Sequence, residues 1–188
     1  MLKANGITDV RITHISGELT DNYNPSSKTL NLSDATYAST SIAAIGVAAH
    51  ETGHAIQHQV GYGPLVLRSS LVPVANIGSR FGPTLAIIGI IFGASAKSNM
   101  PIAQLITNIG LILFGLSVLF YLVTLPVEFN ASRRALKILE ETNTLTDKTE
   151  VSGARKVLWA AAMTYVASAL TAIGSLLRLV FISKNRRR

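Results

Sequence analysis

Cysteine is absent from the 188-residue chain, so there is no disulfide framework, and any zinc must be held by histidine, aspartate or glutamate. A search for metal ligands is thereby confined to 4 histidines and 10 acids. Charge is also scarce. Charged residues make up 14% of the chain and hydrophobic ones 48%, with a mean hydropathy of +0.38, against a charged share of roughly a quarter in ordinary soluble domains. So few charges exclude a disordered tail and a coiled coil, and 6 prolines with 14 glycines exclude a collagen-like chain. The length fits one domain, residues 1–188.

What the chain has in quantity is apolar sequence. Residues 102–125 form a run without a charge, long enough to cross a hydrocarbon core of ~30 Å as a helix of about 20 residues. Residues 157–182 form a second such run, with Arg178 near its end, where a long side chain can snorkel to the headgroups. A third crossing is expected over about 71–96, kinked or tilted because Pro73 and Pro83 lie inside it. Gly78 and Gly82, and Gly89 and Gly93, stand four apart, a spacing that lets helix backbones approach closely and is expected to serve packing. The connection around Lys97 to Pro101 is so short that the first two crossings must form an antiparallel hairpin. The excess of cations gives +7. They are dispersed except for Lys184, Arg186, Arg187 and Arg188 after the last apolar run, which suits an interfacial anchor; nucleic acid is not an expected partner.

Residues 1–34 read as a small β region. Val10, Ile12, Thr13 and Ile15 suggest one strand and residues 28–32 another, with turn chemistry at 21–25 between them. Strand 28–32 would offer an edge for an extended peptide. A helix capped by Ser33 or Asp34 is expected over 35–60.

That helix runs into His50-Glu51-Thr52-Gly53-His54, an H-E-x-x-H in which residues four apart project from one face and two imidazoles can share one Zn²⁺. Zinc lowers the pKa of a bound water to about 7, and Glu51, next along, can take its proton as it attacks a peptide carbonyl. The bland alternative is an exposed helix with incidental histidines, but the apolar run before His50 argues against exposure.

A catalytic zinc wants a third protein ligand. His58 lies a further turn along the helix, ~6 Å up the axis, too far to join His50 and His54 at ~2.1 Å bonds, and is expected to support the site from outside or lie on the surface. His14 is expected in solvent or a turn. Glu128 is the strongest acid, because it follows the 102–125 run directly, flanked by Val127 and Phe129, and an acid at that boundary needs compensation. A metal would supply it; so would an ion pair with Arg133 or Arg134, one turn away.

Several longer stretches resemble a known family: LTDNYNP at 19–25, SIAAIGVAAHETGHAIQH at 41–58, PLVLRS at 64–69, LVPVANIGS at 71–79 and LPVEFNASRRA at 125–135. They are similar to the YugP-type neutral zinc metallopeptidases of bacterial membranes, over nearly the whole chain. The resemblance implies a gluzincin-like site with His50, His54 and Glu128 on zinc and Glu51 as general base. It also implies a mainly α, multi-pass membrane protein. Relatives of this type usually carry another membrane helix and a basic segment ahead of the position of Met1, so either a shortened form or a mis-called start is expected. Related membrane gluzincins often place an aspartate four after the glutamate ligand, where this chain has Ser132; Ser132 or Asn130 is then expected to orient a histidine.

With three crossings, Lys3, Arg11, Lys28, Arg68, Arg133, Arg134, Lys137, Lys148, Arg155 and Lys156 share the side of the site, against Lys97, Lys184 and the three terminal arginines opposite. The bias expects the site to face the cytoplasm of a bacterial cell membrane. The expected function is zinc-dependent cleavage of a peptide or protein substrate beside membrane lipid, with Tyr23 either hydrogen-bonding the oxyanion or packing in its turn. Two alternatives stand: intramembrane proteolysis, which would use an Asp from a membrane helix, though no spanning stretch contains one, and a non-catalytic membrane scaffold with a structural metal.

Overall fold

The computed structural model describes residues 1–95 and 100–185. Lys97, Arg186, Arg187, Arg188 and most of the expected 97–101 turn lie outside the described residues. The chain divides into two compact units, Met1–Val66 with Leu125–Thr164, and Leu67–Thr124 with Tyr165–Arg188.

The first unit opens with three strands, β1 (Arg11–His14), β2 (Asn22–Asn24) and β3 (Thr29–Leu32). Their order is β1-β3-β2, with β1 parallel and β2 antiparallel to β3. β3 is therefore the central strand, and both its edges are already paired. It cannot offer the edge expected of residues 28–32; β2 is an outer strand instead. β2 itself occupies sequence read as a turn. The turn chemistry acts slightly later, because Asn24 Oδ1 accepts the N–H groups of Ser26 and Ser27, while Asn31 Nδ2 donates across the strands to Asn22 Oδ1 at 2.9 Å. Alternation along β3 turns Leu30 and Leu32 inward, onto Leu2, Ile7, Ala55, Ile56 and Ile138.

The expected 35–60 helix is interrupted. A single turn, α1 (Asp34–Tyr37), is followed by α2 (Ile42–Gln59). Ser41 is the reason for the restart, since its Oγ accepts the N–H of Ala44 at 3.2 Å and satisfies a donor at the helix N-terminus. Ser33 precedes α1 but spends its hydroxyl on Asp21, at 2.8 Å.

Three further helices follow: α3 (Gly63–Ser95), α4 (Met100–Glu141) and α5 (Lys148–Asn185), all long and apolar enough to cross a membrane. Each exceeds its expected span. α3 carries Pro73 and Pro83, and α4 carries Pro126, inside continuous helix. Beyond Pro126 the apolar stripe simply persists, with buried Val127, Ala131, Ala135, Ile138 and Leu139 at helical spacing. In the first unit Ala135 and Leu139 of this stripe join Ala49, Leu145, Ala154 and Leu158 in one core, and Ile138 joins the cluster formed by Leu30, Leu32, Ala55 and Ile56.

In the second unit α3 and α4 run antiparallel. A Cβ at Gly78 would strike the carbonyl of Leu113, one at Gly82 the backbone of Phe114, and one at Gly89 the side chain and backbone of Thr107. The glycine pairs thus serve packing, as their spacing predicts. Buried Thr107 and Ser117 return their hydroxyls to carbonyls of their own helix, which keeps them satisfied where water is absent. Ile77, Phe81, Ile88, Ile91, Ile112, Leu170 and Phe181 point outward, an apolar exterior suited to lipid.

Candidate metal centre

Within the first unit, α2 and the Leu125–Glu141 part of α4 pack at backbone contact. The enabling residue is Gly53, where a Cβ would lie 2.5 Å from the carbonyl oxygen of Ala131. On α2, His50 and His54 flank that glycine one turn apart, their rings edge to face with centroids 4.7 Å apart. Glu128 sits one turn before Ala131 on α4, so the close approach brings its carboxylate to both imidazoles. Glu128 Oε2 lies 3.1 Å from His50 Nε2 and 3.6 Å from His54 Nε2. Among the described residues this is the one group of three potential metal-ligating side chains whose ligand atoms all fall within 4.8 Å of one another.

The donor set fits Zn²⁺. Bonds of ~2.05 Å at tetrahedral angles hold neighbouring ligand atoms about 3.3 Å apart, and the two measured separations, 3.1 and 3.6 Å, bracket that value. The outer nitrogens are also occupied. Ser132 Oγ lies 3.2 Å from His50 Nδ1, and Gln57 Oε1 lies 3.0 Å from His54 Nδ1, so each ring is held with its Nε2 toward Glu128. Of the two residues expected to orient a histidine, Ser132 does so directly, and Asn130 hydrogen-bonds Gln57 rather than a ring.

Glu51, next to His50 on α2, is buried, at 8% exposure, and feels the charges of His50, His54 and Glu128. Burial raises its pKa above the ordinary carboxylate value and prevails over the opposing pull of His54 and His50; the Glu128 charge adds to the rise, and the backbone N–H of Tyr23 partly offsets it. For His54, burial acts to lower the pKa, but the hydrogen bond and charge of Glu128, with the charge of Glu51, outweigh it and raise the value above 6.5. Ionised carboxylates thus already favour positive charge at this position, as a cation site requires.

The remaining candidates lie elsewhere. His58 is exposed and hydrogen-bonds Tyr23 Oη through Nδ1 at 2.8 Å; the phenol is thereby engaged at the outer strand β2. His14 pairs with Asp34 at 2.6 Å and stacks on Tyr37. Arg134, weighed as an ion-pair partner of Glu128, donates from Nε to Asn130 Oδ1 at 2.8 Å. Sequence reasoning missed Gln57 as a partner of the site. Its position three after His54, on the same helical face and inside an apolar helix, was the available signal.

Comparison with known proteins agrees with this geometry. The family described as "Putative neutral zinc metallopeptidase" matches residues 1–184. A relative from Bacillus subtilis (strain 168), described as "Putative membrane protease YugP", is 44% identical over 187 residues, covering 100% of this chain and 79% of the relative. No solved structure matches the chain significantly. By the extent of the match, the chain belongs to the family so described.

Proposed function

We propose that this chain is a zinc-dependent endopeptidase of a bacterial membrane, with His50, His54 and Glu128 as the metal ligands and Glu51 as the general base. The observation that carries the reading is the convergence of two imidazole Nε2 atoms and one carboxylate oxygen at 3.1 and 3.6 Å, each ring oriented from behind by a hydrogen bond. When bound, Zn²⁺ supplies Lewis acidity that activates water and polarises a carbonyl. Glu51 accepts the proton of the attacking water and returns it to the departing amine.

A peptide or protein substrate binds extended along the outer edge of β2, where the Tyr23 N–H faces Glu51. Membrane lipid surrounds α3, α4 and α5, whose composition suits three crossings. The excess of Lys and Arg on the site's side orients it to the cytoplasm. The test compares zinc content and casein cleavage in wild type and Glu51→Gln. Bound zinc in both, with cleavage lost only in the variant, is expected; intact, zinc-loaded wild type without cleavage refutes the peptidase reading in favour of a scaffold.

A further inference from the structure

Behind His54 lies a chain of hydrogen bonds whose directions are all determined by its outermost member. Arg134 can only donate, and its Nε lies 2.8 Å from Asn130 Oδ1. That contact settles which end of the Asn130 amide is oxygen. Gln57 Nε2 lies 3.0 Å from the same oxygen and 2.8 Å from the backbone carbonyl of Val127. Facing two acceptors, this end of the Gln57 amide must be the nitrogen, so its oxygen is turned to His54 Nδ1 at 3.0 Å. An amide oxygen accepts only, so His54 Nδ1 carries a proton, which leaves Nε2 as the nitrogen that can bind a metal once it is deprotonated.

We infer that Arg134, Asn130 and Gln57 form a positioning relay that sets the tautomer and ring orientation of His54 for metal binding. The inference rests on the zinc reading above. Gln57 is fully buried, at 0% exposure, so its amide is desolvated and each of its hydrogen bonds must be made within the protein. Its two donors hold α4 on either side of Glu128, through Val127 and Asn130, while its acceptor holds the imidazole on α2. One side chain therefore fixes the histidine and the backbone beside the carboxylate together. Arg134 touches neither His54 nor Gln57 in these bonds; its effect on the ring passes through the Asn130 amide, which without the guanidinium is free to turn its nitrogen toward Gln57.

The test is a double-mutant cycle on zinc affinity, measured by competition with a chromophoric chelator in the full-length, detergent-solubilised protein. Methionine keeps bulk at both positions. Gln57→Met is expected to weaken zinc binding about 10–100-fold, the usual range for loss of a group supporting a metal-bound histidine, and Arg134→Met to weaken it less. The double variant should bind zinc no more weakly than Gln57→Met alone, because the arginine acts only through the glutamine. Unchanged affinity in Gln57→Met, or losses that multiply in the double variant, overturns the relay. Failure of wild type to bind zinc would instead remove the metal-site reading itself. If Gln57→Met does not fold, Arg134→Met carries the test through the His54 Nδ1–H proton resonance of the zinc-loaded protein. Faster solvent exchange than in wild type supports the relay, and unchanged exchange refutes it.

Discussion

Replacement of Gly53 by alanine should separate the metal centre from the general stability of the fold. The added methyl would sit 2.5 Å from the Ala131 carbonyl oxygen and 3.2 Å from that residue's carbonyl carbon and Cα. Ordinary carbon–oxygen contact needs about 3.3 Å or more, so α2 and α4 must part locally by roughly 0.8 Å. Backbone rather than a flexible side-chain tip has to yield. Two effects then oppose each other. Alanine in a helix interior gains ~0.8–1.0 kcal/mol over glycine, while overpacking costs about 1–3 kcal/mol, so the net loss of stability is roughly 0–2 kcal/mol. The effect on zinc is less balanced. Glu128 lies one turn from Ala131, and metal–ligand distances tolerate only ~0.2 Å, so parting the helices draws the carboxylate out of reach of the two imidazoles. Zinc affinity is expected to fall about 10–100-fold, which is about 1.4–2.7 kcal/mol, with a melting temperature of the metal-free protein lowered by no more than about 8 °C. Chelator competition reads the first quantity and a thermal melt followed by circular dichroism the second. Unchanged zinc affinity in a folded Gly53→Ala protein would refute the argument that this contact delivers Glu128 to the site.

Ser132→Ala removes the hydroxyl 3.2 Å from His50 Nδ1 and should weaken zinc binding severalfold, with Ser132→Thr restoring it; equal affinities in all three proteins would exclude an orienting role. Zinc affinity should fall with acid, beginning above pH 6.5, because His54 holds its proton more tightly than an ordinary imidazole and must release it to a metal. The sign is fixed: binding weakens as pH drops through the raised pKa, and isotherms flat from pH 8 to 6 would contradict it. Gly82→Val places bulk against the Phe114 backbone and should destabilise the second unit, lowering the melting temperature in detergent, whereas the outward-facing Ile88→Val should leave it nearly unchanged.

Much of the site was legible in the sequence because an α-helix converts spacing into direction. Residues four apart share a face, so His50 and His54 had to be neighbours wherever α2 packed, and Glu51 had to lie off that face. Glu128 drew attention for a different reason: an acid bordering a charge-free run must find a compensating partner. The partner's identity stayed open between a metal and Arg133 or Arg134, because both alternatives satisfy the same electrostatic demand. Gln57 was silent, since a glutamine inside an apolar helix announces a need for hydrogen bonds without saying where they go.

The fold divides in the same way. Two of the long helices followed from apolar runs of spanning length, and the third from extending a shorter run back past Arg80 and two prolines, none of which needs knowledge of neighbours. The ends of those helices did not, because Pro126 removes a single hydrogen bond whereas burial of Val127, Ala131, Ala135 and Leu139 carries α4 onward. Strand β2 was hidden for a similar reason. Asn22 and Asn24 are poor strand formers by themselves, and pairing with β3 outweighed their preference. Composition and periodicity alone thus determined the helical class, the apolar exterior and the shared face of the two histidines, all of which depend on residues close together in the chain. Only tertiary packing decided the contact of Gly53 with Ala131, the arrival of Glu128 at both imidazoles and the direction of each hydrogen bond behind them, because residues more than seventy positions apart meet through the shape of two helix surfaces, and no local rule encodes that shape.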